Sequence, residues 1–188
     1  MSRKVIIVAV FLIFLAPVIG SVLVHSNWIN WQPGQTRNHG ELIQPPVTLF
    51  ATGTNLESPP TDRPGKDQWI LLEVQTSACQ SECLEQLYWL RQIRRAQDRH
   101  QPDIALMLIS SEELDGATRE QVLALADDFL IIDGDEASEL IARLPAPAGG
   151  SSFIVDPQGR LVLRYEPDAD PNGIRRDLRR LVTWTVRE

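Results

Sequence analysis

Residues 69–83 read WILLEVQTSACQSEC. The apolar run Trp69–Gln75 predicts a strand, Thr76-Ser77-Ala78 a turn, and the following residues a helix over Cys79–Ala96. The only two cysteines of the chain, Cys79 and Cys83, therefore form a C-x3-C pair at a strand-to-helix turn. That edge of an α/β sheet, at the C-terminal ends of its strands, is where ligands and chemistry are often found. Helical positions i and i+4 place their Cα atoms about 6 Å apart, within reach of a disulfide, so the pair can be dithiol or disulfide. Unpaired N–H groups and the positive end of the helix dipole favour a thiolate at Cys79, the expected attacking sulfur, with Cys83 as the resolving one. Cys83 shares its face with Leu87, Leu90 and Ile93, while Tyr88 and Trp89 read as packing and surface aromatics. A purely structural bridge is the competing reading. Its short loop removes little chain entropy, which favours a redox or metal role.

Working outward, the pattern predicts a strand over Ile104–Ser110, a helix over Ala117–Asp127 and a strand over Phe129–Ile132. A third helix, Glu136–Leu144, is expected to start from a capping box at Asp133 and to stop before Pro145. Ser152–Val155 and Arg160–Tyr165 flank Asp156-Pro157-Gln158-Gly159, a hairpin turn, and a last helix over Asn172–Val186 has Ile174, Leu178, Leu181 and Val182 on one stripe. Parallel strands joined by helices, then a hairpin and a closing helix, require a mixed sheet with helices on both faces. The thioredoxin-like α/β fold has this order. Before it, residues 25–64 are rich in proline and glycine and read as a tether and entry loops, with one short strand at Val47–Phe50.

Val5–Val24 reads VIIVAVFLIFLAPVIGSVLV, twenty residues without a charge. Such a run is long enough for a transmembrane helix, at about 1.5 Å per residue across about 30 Å of hydrocarbon. Arg3 and Lys4 precede it and no Lys or Arg follows until Arg37, so the N-terminus is expected in the cytoplasm and the main domain outside it. A signal peptide cut after Gly20 is the alternative, but apolar residues continue through Val24. Both readings export the cysteines. The expected division is an anchor over 1–24, a tether over 25–64 and one thioredoxin-like domain over 65–188. Of 18 Lys and Arg, Arg3 and Lys4 lie before the anchor, so the rest sets 16 basic against 25 acidic residues, and nucleic acid is excluded as a partner. The acids at Asp127, Asp128, Asp133, Asp135 and Glu136 read as helix capping and solvation, and Arg175, Arg176, Arg179 and Arg180 as a solvated face. No Ser-His-Asp set or phosphate-binding glycine loop is evident.

Gly65-Lys66, WILLEVQ, CQSEC followed by LEQLYWLRQ, and SFIVDPQGRLV stand in an order and spacing that resemble the Sco/SenC branch of thioredoxin-like proteins, over about residues 40 to 185. That branch comprises copper chaperones and thiol-disulfide factors for cytochrome c oxidase assembly. The opening NHGELIQPP and CQSECLEQLYWLRQIRRA resemble more closely its membrane proteins found with bacterial cytochrome oxidase genes. The resemblance implies a single-pass protein of the bacterial inner membrane with a periplasmic domain. Cys79 and Cys83 would exchange thiols and disulfides or briefly hold Cu(I), with copper as the associated metal. The implied partners are a cytochrome oxidase subunit or assembly factor, with membrane lipid around the N-terminal helix; any enzymatic activity would be that of a thiol-disulfide oxidoreductase.

One position departs from the pattern. The Sco-type metal histidine should fall near Ala148, where this chain has Pro147-Ala148-Gly149. The histidines present are His25, His39 and His100, and His100 follows Cys79 by 21 residues, roughly a 25 Å helix away. Two thiolates suit Cu(I), whereas Cu(II) would lack its nitrogen. The cis-proline of ordinary thioredoxins would fall at Ser151. A function of a different class, a non-catalytic membrane-anchored scaffold with a structural cysteine pair, is therefore kept beside the first.

Overall fold

A computed structural model describes residues 11–15, 38–49, 67–145 and 149–185. The elements are β1 (Glu41–Thr48), β2 (Trp69–Gln75), α1 (Ser81–Arg95), a 3-10 turn (Asp98–Asp103), β3 (Ile104–Ser110), α2 (Gly116–Leu125), β4 (Leu130–Asp133), α3 (Gly134–Ile141), β5 (Ser151–Val155), β6 (Arg160–Tyr165) and α4 (Pro171–Thr185). All strands join one sheet in the order β1-β6-β5-β2-β3-β4, parallel across β2, β3 and β4 and antiparallel elsewhere. Residues 1–36 form a unit separate from 37–188, and of it residues 11–15 are helical. The rest of the expected anchor lies outside the described residues, among which no helix is long and apolar enough to cross a membrane.

β2 and β3 are buried along their whole length, as strands covered on both faces must be. Alternation sends Leu71, Leu106, Leu108, Ile154 and Leu163 to one face, where they pack with Cys83, Leu87 and Leu90 of α1, Val122 of α2 and Ile174, Leu178 and Val182 of α4. Ile70, Leu72, Val74, Met107, Ile109 and Phe153 go to the other, against Ala137 and Leu140 of α3. The mixed sheet with helices on both faces is thus present, and the stripes read for α1 and α4 are the ones that face it.

The first strand and one cap depart most from expectation, while several other elements shift at their ends by one to three residues. β1 begins at Glu41, not Val47, and runs through Pro45 and Pro46; Phe50 lies outside the described residues. Prolines are tolerated here because β1 is an edge strand whose pairing with β6 is interrupted by a register shift between Leu42 and Val47. α3 begins at Gly134 with Asp133 as N-cap, but the Asp133 side chain makes no capping bond. Its carboxylate instead accepts from the Leu114 N–H at 2.9 Å and from Arg119 at 2.6 Å, so a tertiary contact replaces the capping box. The hairpin turn is as read: Asp156 accepts from the N–H groups of Gln158 and Arg160, and Gly159 takes φ +84°, which its missing Cβ allows.

Buried polar groups tie the ends of the sheet together. Asp177 of α4 accepts from the N–H of His39 at 2.6 Å, the N–H of Gly40 at 3.0 Å and the Tyr165 hydroxyl at 3.0 Å, fastening the entry of β1 to the last helix. Gly40 is needed there, since a Cβ would lie 2.6 Å from the Tyr165 ring. In the middle of the sheet stands Glu73, fully buried on β2; Ser152 Oγ donates to one carboxyl oxygen at 2.6 Å and Gln75 Nε2 to the other at 3.0 Å.

Burial raises the Glu73 carboxyl to about 7, against the opposing pull of the Ser152 and Gln75 hydrogen bonds. Because the folded value lies above the unfolded one, folding is favoured by the protonated form. The contribution is full below the unfolded value of 4.5 and is lost as the pH rises through about 7. The loss should amount to about 3 kcal/mol, at 1.36 kcal/mol per unit. Urea denaturation across this window should show stability falling with pH in the wild type, and Glu73→Gln should remove that part of the slope. Parallel slopes in the two proteins would mean that Glu73 keeps an ordinary carboxyl.

Candidate functional site

β2 ends at Gln75, and Thr76, Ser77 and Ala78 cross the exposed edge of the sheet to Cys79. α1 starts at Ser81, not at the expected Cys79, and stops at Arg95. Cys79 therefore precedes the N-cap residue, Gln80, whose backbone is extended and whose side chain makes no capping bond. Gln80 still contributes its carbonyl, which accepts from the Leu84 N–H at 3.1 Å. With no cap from Gln80, the positive end of α1 is turned toward the cysteine loop, and this favours sulfur carrying negative charge there.

Cys79 and Cys83 are joined by a disulfide with Cα atoms 5.2 Å apart, a separation ordinary for the bond. The two sulfurs are not equivalent in setting. Cys83 is only 3% exposed and sits in the core with Leu71 and Leu87, whereas Cys79 is half-buried against the rim of that core. Of the two sulfurs, Cys79 is therefore the one nearer solvent.

Other loops close around the pair. Gly150 N–H donates to the Val74 carbonyl at 2.8 Å and Ser111 N–H to the Gln75 carbonyl at 2.9 Å, so the loops before β5 and after β3 flank the end of β2. Gly149 approaches Thr76 closely, and a Cβ there would require the Thr76 hydroxyl to rotate away. Gln86 Nε2 reaches the Pro167 carbonyl at 2.8 Å and so ties α1 to the loop after β6. The loop stretches 76–82, 111–115, 149–150 and 166–170 contain no Lys or Arg, while Glu82, Glu112, Glu113, Glu166 and Asp168 are all exposed. The rim of the site is acidic and attracts cations.

Neither of the two described histidines, His39 and His100, is placed at the pair. His39 lies at the start of β1 against Gly173, and His100 sits in the 3-10 turn past the far end of α1, 3.3 Å from Asp103. His25 and Ala148 lie outside the described residues. Ser151, the expected cis-proline position, opens β5 opposite Val74, while the cis bond among the described residues joins Gln44 and Pro45. Among the described residues no three His, Cys, Asp or Glu side chains are grouped to hold a metal. Two sulfurs of this kind, once reduced, are soft donors of the class that ligates Cu(I). Tyr88 and Trp89 are exposed on α1, ring to ring at 5.6 Å, as surface aromatics. The sequence reading passed over Glu73; a lone acid inside WILLEVQ, six residues before Cys79, was the available signal.

Several solved structures resemble this one. The apo Sco1 protein of Thermus thermophilus matches with a TM-score of 0.54 at 20% identity, over 77% of this chain and 95% of its own. Arabidopsis thaliana ScoI with copper bound matches at 0.53 and 12%, over 64% of this chain and 87% of its own. Yeast Sco1 with copper bound matches at 0.51 and 14%, over 62% and 78%. At these identities the likeness is one of fold, the thioredoxin-like fold shared with Sco1 proteins. No curated protein matches the sequence. The family model described as transmembrane-like, thioredoxin-like, C-terminal domain matches residues 69–184, more than half of the chain. The chain belongs to this family of transmembrane-like, thioredoxin-like C-terminal domains.

Proposed function

We propose that this protein is a membrane-anchored Sco-like factor in cytochrome c oxidase biogenesis, acting through Cys79 and Cys83 by thiol-disulfide exchange or by transient binding of Cu(I). The observation that carries the proposal is the disulfide itself. It bridges a half-buried cysteine, placed before a helix start that its N-cap side chain leaves uncapped, to a buried one inside the first turn, at the C-terminal edge of a thioredoxin-like sheet. A bridge across so short a loop stabilises little, and its position suits exchange.

Copper enters by two arguments. The ScoI of Arabidopsis thaliana and the Sco1 of yeast, which share this fold, were solved with copper bound. Reduction of the disulfide would free two sulfurs in an acidic rim that draws in cations, and soft sulfur ligands select the cuprous ion. The oxidase assignment and the anchor at 5–24, with the N-terminus in the cytoplasm and the domain in the periplasm, rest on the sequence features described above. The partner would be an oxidase subunit or another assembly factor.

Replacing both cysteines by alanine should lower assembled oxidase in cells that keep the variant at wild-type abundance, measured by the haem spectrum of membranes. Unchanged oxidase with stable variant protein would instead favour a scaffold. In vitro, the reduced protein should take up one Cu(I) and hold Cu(II) only weakly, and the oxidised protein should take up neither at this site. Titration against a competing chelator for each ion checks this. A tight cupric complex with a strong sulfur-to-copper absorption band would show that a nitrogen ligand does reach the pair.

A further inference from the structure

α4 carries Arg175, Arg176, Arg179 and Arg180, and its one acid, Asp177, is buried. Ile174, Leu178 and Val182 turn its core stripe to the sheet, which leaves Arg176, Arg179 and Arg180 exposed and Arg175 half-buried. Arg175 with Arg179, and Arg176 with Arg180, stand at i and i+4, a like-charge spacing that weakens a helix on its own. Among the described residues Arg175, Arg176 and Arg179 form no ion pair, and Arg180 lies 3.9 Å from Asp177. In a chain of net charge -7 this is a local concentration of positive charge. Two exposed aromatics adjoin it. Gln97 donates to the Arg175 carbonyl and Gln86 to the Pro167 carbonyl in the loop before α4, so this side of α1 is the one toward α4. Trp89 follows Gln86 by three residues and precedes Ile93 by four, which sets it on the same side, with the Tyr88 ring 5.6 Å away. The chain also enters the domain here. Asp177 accepts from the N–H groups of His39 and Gly40, and His39 lies against Gly173, so the start of the domain is fastened to α4.

We infer that the outward face of α4, with Trp89 and Tyr88 beside it, docks on the anionic phospholipid headgroups of the membrane that holds the chain; this rests on the anchor of the proposed function. Guanidinium groups bind phosphate through paired N–H donors, and indole and phenol rings settle at the interface between lipid and water. An acidic protein surface would also satisfy the arginines. The length of the tether decides for the membrane. Asn38 follows Val24, the end of the apolar run, by 14 residues, a stretch that reaches roughly 50 Å when fully extended. A domain held on such a tether meets lipid at high effective concentration, so a face of modest intrinsic affinity is enough to dock it. Each arginine adds to the attraction, which fades within a Debye length of the surface and is screened by salt. α4 starts from the loop that Gln86 ties to α1, so docking along this helix also limits how far the cysteine edge stands from the bilayer.

The test uses the full-length protein, disulfide intact, reconstituted in vesicles of phosphatidylcholine alone or with about one-third phosphatidylglycerol. A fluorophore is attached to one added cysteine, either Thr183→Cys on the outward side of α4 or Glu139→Cys on α3, across the sheet. Quenching by lipids that carry a nitroxide on the headgroup should be at least about threefold stronger at position 183 than at 139 in the anionic vesicles. The difference should vanish in neutral vesicles and at about 0.5 M salt, where charges are screened within a few ångströms. Arg176→Glu combined with Arg179→Glu should abolish it, whereas Arg176→Lys with Arg179→Lys should keep most of it; near-ultraviolet circular dichroism establishes that both are folded. Equal quenching at the two positions in every lipid, from protein that floats with both kinds of vesicle, would overturn the docking and leave the anchor standing. Flotation with anionic vesicles alone, lost in the Glu variant, would overturn the anchor and support the lipid-binding face. Flotation with neither would overturn both. A crosslink from position 183 to another protein in native membranes, without lipid quenching there, would replace the lipid by an acidic protein partner.

Discussion

Every residue of β2 is buried, and a strand hidden on both faces needs helices above and below it and a hydrogen-bonded neighbour on each side. β3 and β5 supply the neighbours, one parallel and one antiparallel. The parallel partner requires a crossover, and α1 is that crossover, returning over the face from which Leu71 and Glu73 project. The turn that launches α1 must therefore lie at the C-terminal edge of β2, where the loops before β5 and after β3 also arrive. The cysteine pair stands in that turn. Its placement is a consequence of how the central strand is covered.

The same constraint separates the two cysteines. A residue ahead of the N-cap stays at the rim, while one four positions later is drawn under the helix into the core. One bond thus joins a sulfur that a partner can approach to a sulfur held in apolar surroundings, beside a layer that also contains a buried acid. Exchange at such a bond is directional in its chemistry even though it is reversible in its thermodynamics. The acidic rim adds a long-range bias toward cations, whether a metal ion or a basic protein surface.

The bounds of β2 and β3 were legible because seven-residue, mostly apolar runs between turn signals leave little choice. The hairpin was legible from Asp156-Pro157-Gln158-Gly159, whose turn chemistry is local. What depends on distant partners was not. Asp133 has the spacing of a capping box, yet Arg119 and the Leu114 N–H claim its carboxylate. Pro45 and Pro46 read as loop, because nothing local reveals that their strand lies at the edge of a sheet. α1 was read as opening at Cys79 because residues on either side of an N-cap look alike by periodicity. Glu73 went unread since an acid in a strand ordinarily faces water. Only Ser152, 79 residues further on, and the helix layer above it show that this one does not.

The central claim is that the Cys79–Cys83 bond is exchangeable and not a staple. The direct measurement is its redox equilibrium, with the folded full-length protein incubated in glutathione or dithiothreitol buffers of defined potential and the fraction of free Cys79 and Cys83 thiols counted by mass after alkylation. Structural disulfides of exported proteins resist reduction down to about −300 mV and below. The account predicts a midpoint clearly above that range, with reduced and oxidised protein interconverting without loss of fold. A bond that stays closed until the buffer passes below it, or a protein that unfolds when the bond opens, would contradict the account.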